Sequence, residues 1–260
     1  MKQNTTYKQT ELGLIPDDWE VKKIGDICGI YIGKDVKKDC FSYKRTPDFK
    51  FPVFSNTVDN NGLYGFYNFE EYKQHNALTV VGRGIGLGTA FVRNNSFGAI
   101  GRLIVLYPNE LTSNGYLTYY INSKVKFYTE SSGIPQLTGE QICKYKICIP
   151  PFPEQKKIAD CLSTWDSAIE KQNALINALI DRKKALMQQL LTGKKRLPGF
   201  SGEWKEVKLG EISIKKSSTL QANSLEENNG EFKVYGASGI VANIDFYNES
   251  EEYIGIVKDG

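Results

Sequence analysis

Two stretches of this chain repeat one another in the same order, and an internal repeat limits the possible architectures more than any local propensity does. Trp19-Glu20-Val21-Lys22-Lys23-Ile24-Gly25-Asp26-Ile27 lines up with Trp204-Lys205-Glu206-Val207-Lys208-Leu209-Gly210-Glu211-Ile212, with Trp and Gly six residues apart in both copies. Phe51-Pro52-Val53-Phe54-Ser55 then matches Phe232-Lys233-Val234-Tyr235-Gly236, and Phe66-Tyr67-Asn68 matches Phe246-Tyr247-Asn248. Val81-Gly82-Arg83-Gly84 meets Val257-Lys258-Asp259-Gly260. Preserved order favours duplication over chance coincidence of aromatics and glycines. The first copy continues over residues 85–150, whereas the second has no counterpart to them. The expected layout is therefore a first domain at 1–150, a linking segment at 151–196 and an incomplete second copy at 197–260. A β-rich fragment leaves strand edges unpaired, so residues 201–260 are expected to be poorly ordered or to borrow strands from another molecule.

The linking segment reads as one long helix. From Pro153 to Thr192 there is no glycine and no interior proline. Pro153 and Glu154 suit a first turn, Gly193 suits the residue just past the end, and Lys194, Lys195 and Arg196 suit a C-terminus, with Pro198 beyond. At 1.5 Å per residue such a helix is about 60 Å long, more than a small domain needs across its own core. Positions alternating by four and three are Ile158, Leu162, Trp165, Ile169, Gln172, Ile176, Leu179, Lys183, Leu186 and Leu190, eight of the ten being apolar. That stripe is the seam of a coiled coil, in which Gln172 and Lys183 disfavour wrong registers. Because the chain offers only one such helix, the expected partner is a second copy, in an antiparallel homodimer. The alternative is an amphipathic helix lying on its own domain.

The first domain reads as mixed α/β (α+β). Ala77–Val81, Gly88–Val92 and Leu103–Tyr107 are strand candidates separated by glycine and Asn-Asn turns. Gly115–Val125 has apolar residues at helical spacing, and Thr138 with Gln141 three residues on forms a capping-box pattern. An apolar fraction of 40% with 24% charged residues and no run of about eighteen apolar residues argues against a membrane protein. The polar N-terminus lacks a secretory signal, so a cytoplasmic location is expected. Cys28, Cys40, Cys143, Cys148 and Cys161 contain no Cys-x-x-Cys pair, and His75 is the only histidine, so neither a zinc site nor a disulfide framework is expected.

The motifs of common catalysts are missing. Gly193-Lys194-Lys195 lacks the upstream glycine and the hydroxyl of a P-loop, and Gly82-Arg83-Gly84-Ile85-Gly86-Leu87-Gly88 has the wrong spacing for a dinucleotide loop and leads into a strand. Ile149-Pro150-Pro151-Phe152 looks like the Asp/Asn-Pro-Pro-Phe/Tyr element of amino-methylating DNA methyltransferases. Its first residue, however, cannot accept a hydrogen bond from a flipped base, which removes the reading as a solitary methyltransferase. With no paired carboxylates apparent, no catalytic residue and no metal ligand is assigned, and no cofactor is expected on this chain.

The sequence does offer residues that could read DNA. Residues 1–152 carry 18 Lys/Arg against 14 Asp/Glu, 153–196 carry 9 against 5, and 197–260 carry 6 against 11, so the basic character lies in the first two segments. Lys34, Lys37, Lys38, Lys44, Arg45 and Lys50 are interleaved with Phe41, Tyr43 and Phe49, a composition suited to neutralising phosphates. Choice of sequence needs contact with base edges. Arg83, in a glycine-flanked turn, could take guanine bidentately, Asn56 or Gln136 could take adenine, and Arg93 joins the candidate set. For each of these taken singly, a solvated surface residue is an equal reading.

With these features in place, the chain resembles the specificity subunit of type I restriction-modification systems. The resemblance rests on Gly13-Leu14-Ile15-Pro16-Asp17-Asp18-Trp19, Ile134-Pro135-Gln136-Leu137, Ile149-Pro150-Pro151-Phe152-Pro153-Glu154-Gln155 and Met187-Gln188-Gln189-Leu190-Leu191-Thr192-Gly193. It implies a first target-recognition domain, a long spacer helix and a partial second recognition domain. Each domain of the family reads half of a split site in double-stranded DNA, and the helices set the gap. The resemblance also implies methylation subunits that dock on the helices and bind S-adenosylmethionine, and nuclease/translocase subunits that use ATP and Mg. The present sequence departs from the family pattern by lacking the rest of the second domain and the second long helix. Dimerisation through 153–192 would restore two recognition domains and imply a symmetric site. A coiled-coil protein-interaction module and an inactive truncated remnant stay open as alternatives.

Overall fold

Three apolar runs of the sequence pair side by side at the centre of the first domain, and the rest of the fold is arranged around them. In the computed structural model the described residues are 6–73, 76–128, 135–217, 230–247, 250 and 252–256. His75, Ile134, Asn248 and residues 257–260, which carry parts of the motifs above, lie outside them. The chain divides into two compact units, Met1–Lys183 and Lys184–Gly260.

In chain order the first unit carries β1 (Tyr7–Thr10), β2 (Gly13–Pro16), β3 (Glu20–Lys23), α1 (Ile24–Ile27), β4 (Cys28–Ile32), β5 (Phe41–Ser42), β6 (Phe51–Phe54), β7 (Leu63–Tyr67), β8 (Ala77–Val80), β9 (Ala90–Arg93), β10 (Gly98–Ala99) and β11 (Ile104–Pro108). There follow α2 (Asn114–Lys124), α3 (Gly139–Cys143), β12 (Lys146–Ile149) and the long helix α4 (Phe152–Leu190), which continues into the second unit. The central sheet has the order β4-β11-β8-β9 and is antiparallel throughout. Leu78, Val80, Ile104 and Leu106 point to one face, where Ile24 and Ile27 of α1, Leu117 and Ile121 of α2 and Ile142 of α3 cover them. Ala77 and Val105 point to the other face and pack with Phe97, Ala99 and Leu103. Burial on both faces explains why β8 reads as an unbroken apolar run instead of an alternating one.

A second sheet, β10-β6-β7-β5, packs Val53 and Tyr67 with Ile100 in a smaller core. Its strands were not among the sequence expectations, because each is short and interrupted by polar turns. The three strand candidates do form strands, the middle one starting at Ala90 instead of Gly88. The capping box also forms: the Gln141 N–H donates to Thr138 Oγ1 and the Thr138 N–H to Gln141 Oε1.

The strands that open and close the first domain meet at the root of α4. Antiparallel β3 and β12 pair Glu20 with Ile149, three residues before the helix begins. The Trp19 indole N–H donates to Glu154 Oε2 at 3.2 Å. Gln155 is fully buried and makes three hydrogen bonds: it accepts from the Ser113 N–H and donates to the Leu111 and Pro150 carbonyls. Ser113 caps α2, so one amide ties the start of α4 to the start of α2. Further along, the Tyr119 hydroxyl donates to Asp166. The mixed α/β domain with its long helix agrees with the fold expected from sequence.

In the second unit, Gly193 has φ +70, as the C-terminal expectation requires. Arg196 does not cap the helix carbonyls; its guanidinium donates to Gly202 O and lies over the Trp204 ring. The repeat is visible in structure. Leu209–Ile212 forms α5 where the first copy has α1, and Phe232–Gly236 (β13), where the first copy has β6, pairs antiparallel with Gly239–Ile244 (β14), which ends two residues before the Phe246-Tyr247 that matches part of β7. This hairpin is the regular strand pairing among the described residues of that stretch. The copies differ in burial: Ile24 and Ile27 are 0% and 6% exposed, whereas Leu209 and Ile212 are 65% and 68% exposed. Among the described residues, Lys205–Lys208 has no strand partner of the kind β12 gives β3, which accounts for its lack of strand structure.

Candidate nucleic-acid interface

Several expected site residues sit on turns that one side chain ties together. The Gly82 N–H donates to Asn56 Oδ1 at 2.8 Å, and the same amide donates through Nδ2 to the Gly101 carbonyl. The Gly101 N–H donates to Lys34 O, and the Arg102 N–H to Gly33 O. Leu137 N–H donates to Gly82 O, and Arg83 forms an isolated antiparallel bridge with Gln136. The backbone of Lys34, Arg83, Arg102 and Gln136 is thus one hydrogen-bonded assembly. A Cβ at Gly82 would lie 3.2 Å from the Arg102 carbonyl, which shows how close the two turns approach.

Arg83 and Arg102 are exposed, and neither has an ion pair among the described residues. The glycine-rich turn beside Arg83 is a turn between strands, as expected. Gly84, Gly86 and Gly88 all have positive φ, and a Cβ at Gly86 would come 2.3 Å from Val58 Cγ1. Ile85 at its tip is 92% exposed, an unusual place for a bulky apolar side chain.

From Lys34, which belongs to this assembly, a basic segment runs on through β5 to Lys50. Lys38, Lys44 and Arg45 are exposed. Lys37 is partly engaged, with Nζ 3.5 Å from Glu71 and 4.5 Å from the Phe69 ring centroid. The segment rests on an aromatic group in which Phe41 stacks on Tyr64 and meets Tyr43 edge-on.

Two expectations are corrected. Arg93 is only 7% exposed: its Nε donates to Thr79 Oγ1, its Nη2 to Asn61 O, and its guanidinium stacks 3.5 Å over Phe54. Burial pushes its pKa down to about 9. This side chain pins the Asn60-Asn61 turn and is not placed to touch DNA. Asn56, likewise, spends its amide on Gly82 and Gly101; it organises the arginine turns instead of reading a base itself. Arg102, which the sequence reading left out, sits on a turn of the same assembly. Its signal was the second Gly-Arg pair, Gly101-Arg102, echoing Gly82-Arg83.

On α4, every seam position from Leu162 to Leu186 is exposed, including Trp165, Ile169, Gln172, Ile176, Leu179 and Lys183, while Ile158 and Leu190 at the ends are half-buried. The alternative of a helix lying along its own domain does not describe α4 from Leu162 onward, where the stripe is exposed. Among the described residues no helix is long and apolar enough to cross a membrane, and no cluster of His, Cys, Asp and Glu is placed to hold a metal ion.

Comparison with known proteins agrees with this architecture. Residues 16–180 match the family model described as type I restriction modification DNA specificity domain. The specificity subunit of the type I restriction enzyme MjaVIII from Methanocaldococcus jannaschii is 27% identical over 76% of this chain and 50% of its own length. A type I specificity subunit from Mycoplasma pneumoniae is 31% identical over 65% of this chain and 55% of its own. The crystal structure of a type I restriction-modification S subunit from M. genitalium superposes with a TM-score of 0.53 at 17% identity, covering 66% of this chain and 46% of that one, a likeness of fold. The chain spans about half the length of the curated relatives it matches. The chain belongs to the type I restriction-modification DNA specificity domain family.

Proposed function

We propose that this chain is the non-catalytic DNA-reading component of a type I restriction-modification complex, working in the cytoplasm. Residues 1–150 act as the target-recognition domain, 151–196 as the spacer helix, and 197–260 as part of a second recognition domain. The domain reads one half of a bipartite site in double-stranded DNA. The apolar stripe of α4 pairs antiparallel with that of a second copy, which brings two recognition domains to one duplex. Methylation subunits dock on the paired helices and nuclease/translocase subunits join for cleavage. S-adenosylmethionine, ATP and Mg are bound by those partners and not by this chain.

The observation that carries the reading is the combination, in one domain of this family, of an exposed arginine-bearing turn assembly and a rigidly rooted helix whose seam is bare. Arg83 and Arg102 on turns joined by backbone hydrogen bonds, without carboxylate partners among the described residues, suit guanine edges. The test is the mass of the purified chain, followed by co-purification with its cognate methylation subunit and a DNA-retention assay across a salt series. A dimer that joins the methylation subunit and retains one duplex above others is expected. A monomeric mass would sink the homodimer. Absence of a complex, or retention indifferent to sequence, would leave a protein-binding module or an inactive remnant.

A further inference from the structure

Arg102 occupies a backbone position that suits a different residue. Ile100 O accepts from the Leu103 N–H at 3.2 Å, closing a turn whose two central residues, Gly101 and Arg102, both have φ +65. Positive φ at both central positions is the pattern of a type I′ turn, which favours glycine or asparagine. Among described residues other than glycine, only Asn60, Asn61 and Arg102 have positive φ, which asparagine adopts more readily than arginine does. A long cation kept at a strained position, exposed and without an ion pair among the described residues, points to a use that outweighs local stability.

The surroundings indicate the use. The Asn56 amide bonds to both Gly82 and Gly101, so the turns bearing Arg83 and Arg102 are fixed relative to each other. Buried Arg93 in turn holds the Asn61 carbonyl at the far side of the loop that carries Asn56. Neutralising phosphate needs charge but little direction, and the exposed lysines of residues 34–50 can supply it. Bidentate contact with a base edge needs a planar fork approached from a fixed backbone. Two arginines on turns tied to each other through Asn56 supply that fixed backbone.

We propose, resting on the DNA-reading function above, that Arg102 is a second base-reading side chain. It acts beside Arg83 on guanine edges in the major groove, and its strained turn is the device that aims it.

The experiment uses the chain assembled with its methylation subunit and compares wild type with Arg102→Gly and Arg102→Lys, reading DNA retention, sequence preference and melting temperature. Glycine relieves the strain. The expected result for Arg102→Gly is therefore a melting temperature unchanged or raised by about 2–4 °C, with affinity for the preferred duplex down about 5- to 150-fold and preference relaxed at one base pair. Arg102→Lys should keep the salt dependence and still lose that preference. If wild type itself shows no preference among duplexes, the DNA-reading function fails. If wild type discriminates and Arg102→Gly discriminates equally, only the role of Arg102 is overturned. A lower melting temperature for Arg102→Gly would make the residue structural, and full rescue by lysine would make it a phosphate contact; either outcome also overturns the assignment.

Discussion

Replacing Gln155 with leucine should loosen the joint between the recognition domain and α4. The side chain is fully buried, and its three hydrogen bonds go to backbone groups: the Ser113 N–H, the Leu111 carbonyl and the Pro150 carbonyl. Each buried polar group left unsatisfied costs about 1–3 kcal/mol. Three of them, reduced by water entry and by the gain from burying leucine, leave a net loss of about 3 kcal/mol. For a domain of this size that corresponds to about 6–12 °C in melting temperature. Gln155→Glu should be worse at neutral pH, because a carboxylate keeps the Ser113 bond but faces two carbonyls with nothing to donate. Acidification should return part of that loss, since a protonated carboxyl can donate again. Thermal unfolding followed by near-ultraviolet circular dichroism reads the domain without the dominant signal of the long helix. A loss under about 1 kcal/mol for Gln155→Leu would refute the assignment of Gln155 as the anchor of the helix root.

Three further outcomes follow from named contacts. Ile169→Asp with Ile176→Asp removes four seam isoleucines per antiparallel dimer, about 6–12 kcal/mol at 1.5–3 kcal/mol each, so sedimentation should find monomers with the helix content of the domain intact. Gly86→Ala should cost about 2–4 kcal/mol, combining positive φ with the approach to Val58, while Gly84→Ala, with φ +82 and open space around it, should cost only the backbone share of about 1–2 kcal/mol; denaturant titration separates them. Cys161 is exposed and should be alkylated at once, whereas Cys28, whose thiol burial pushes up to about 12, should react only on unfolding. Since the folded state holds the Cys28 proton more tightly than the unfolded chain does, its contribution to stability is complete below about pH 9 and is lost as the pH rises towards 12.

What the sequence revealed and what it hid divide along physical lines. The capping box at Thr138 and Gln141, the bounds of α4 and the seam from Ile158 to Leu190 were legible because each depends on neighbours within a few residues. The repeat was legible because Trp19 and Trp204 stand at the same spacing before matching short helices, Ile24–Ile27 and Leu209–Ile212. Arg93 was misread because its environment comes from elsewhere: β8 brings Thr79, β6 brings Phe54, and the loop after β6 brings Asn61. Asn56 was misread for the same reason, its partners Gly82 and Gly101 being 26 and 45 residues away. The Gly101-Arg102 pair was visible in the sequence, but nothing in it announces a positive φ at the arginine. Gln155 was read as part of a motif, but its burial depends on α2 arriving from 42 residues earlier.

The most direct test of DNA reading is selection from random duplexes by the chain assembled with its methylation subunit, followed by sequencing of what is retained. Two short preferred blocks at a constant separation should emerge, related by symmetry where the homodimer forms. Retained duplexes with no shared sequence, or a single continuous block without a gap, would contradict the assignment of this chain as a reader of split sites.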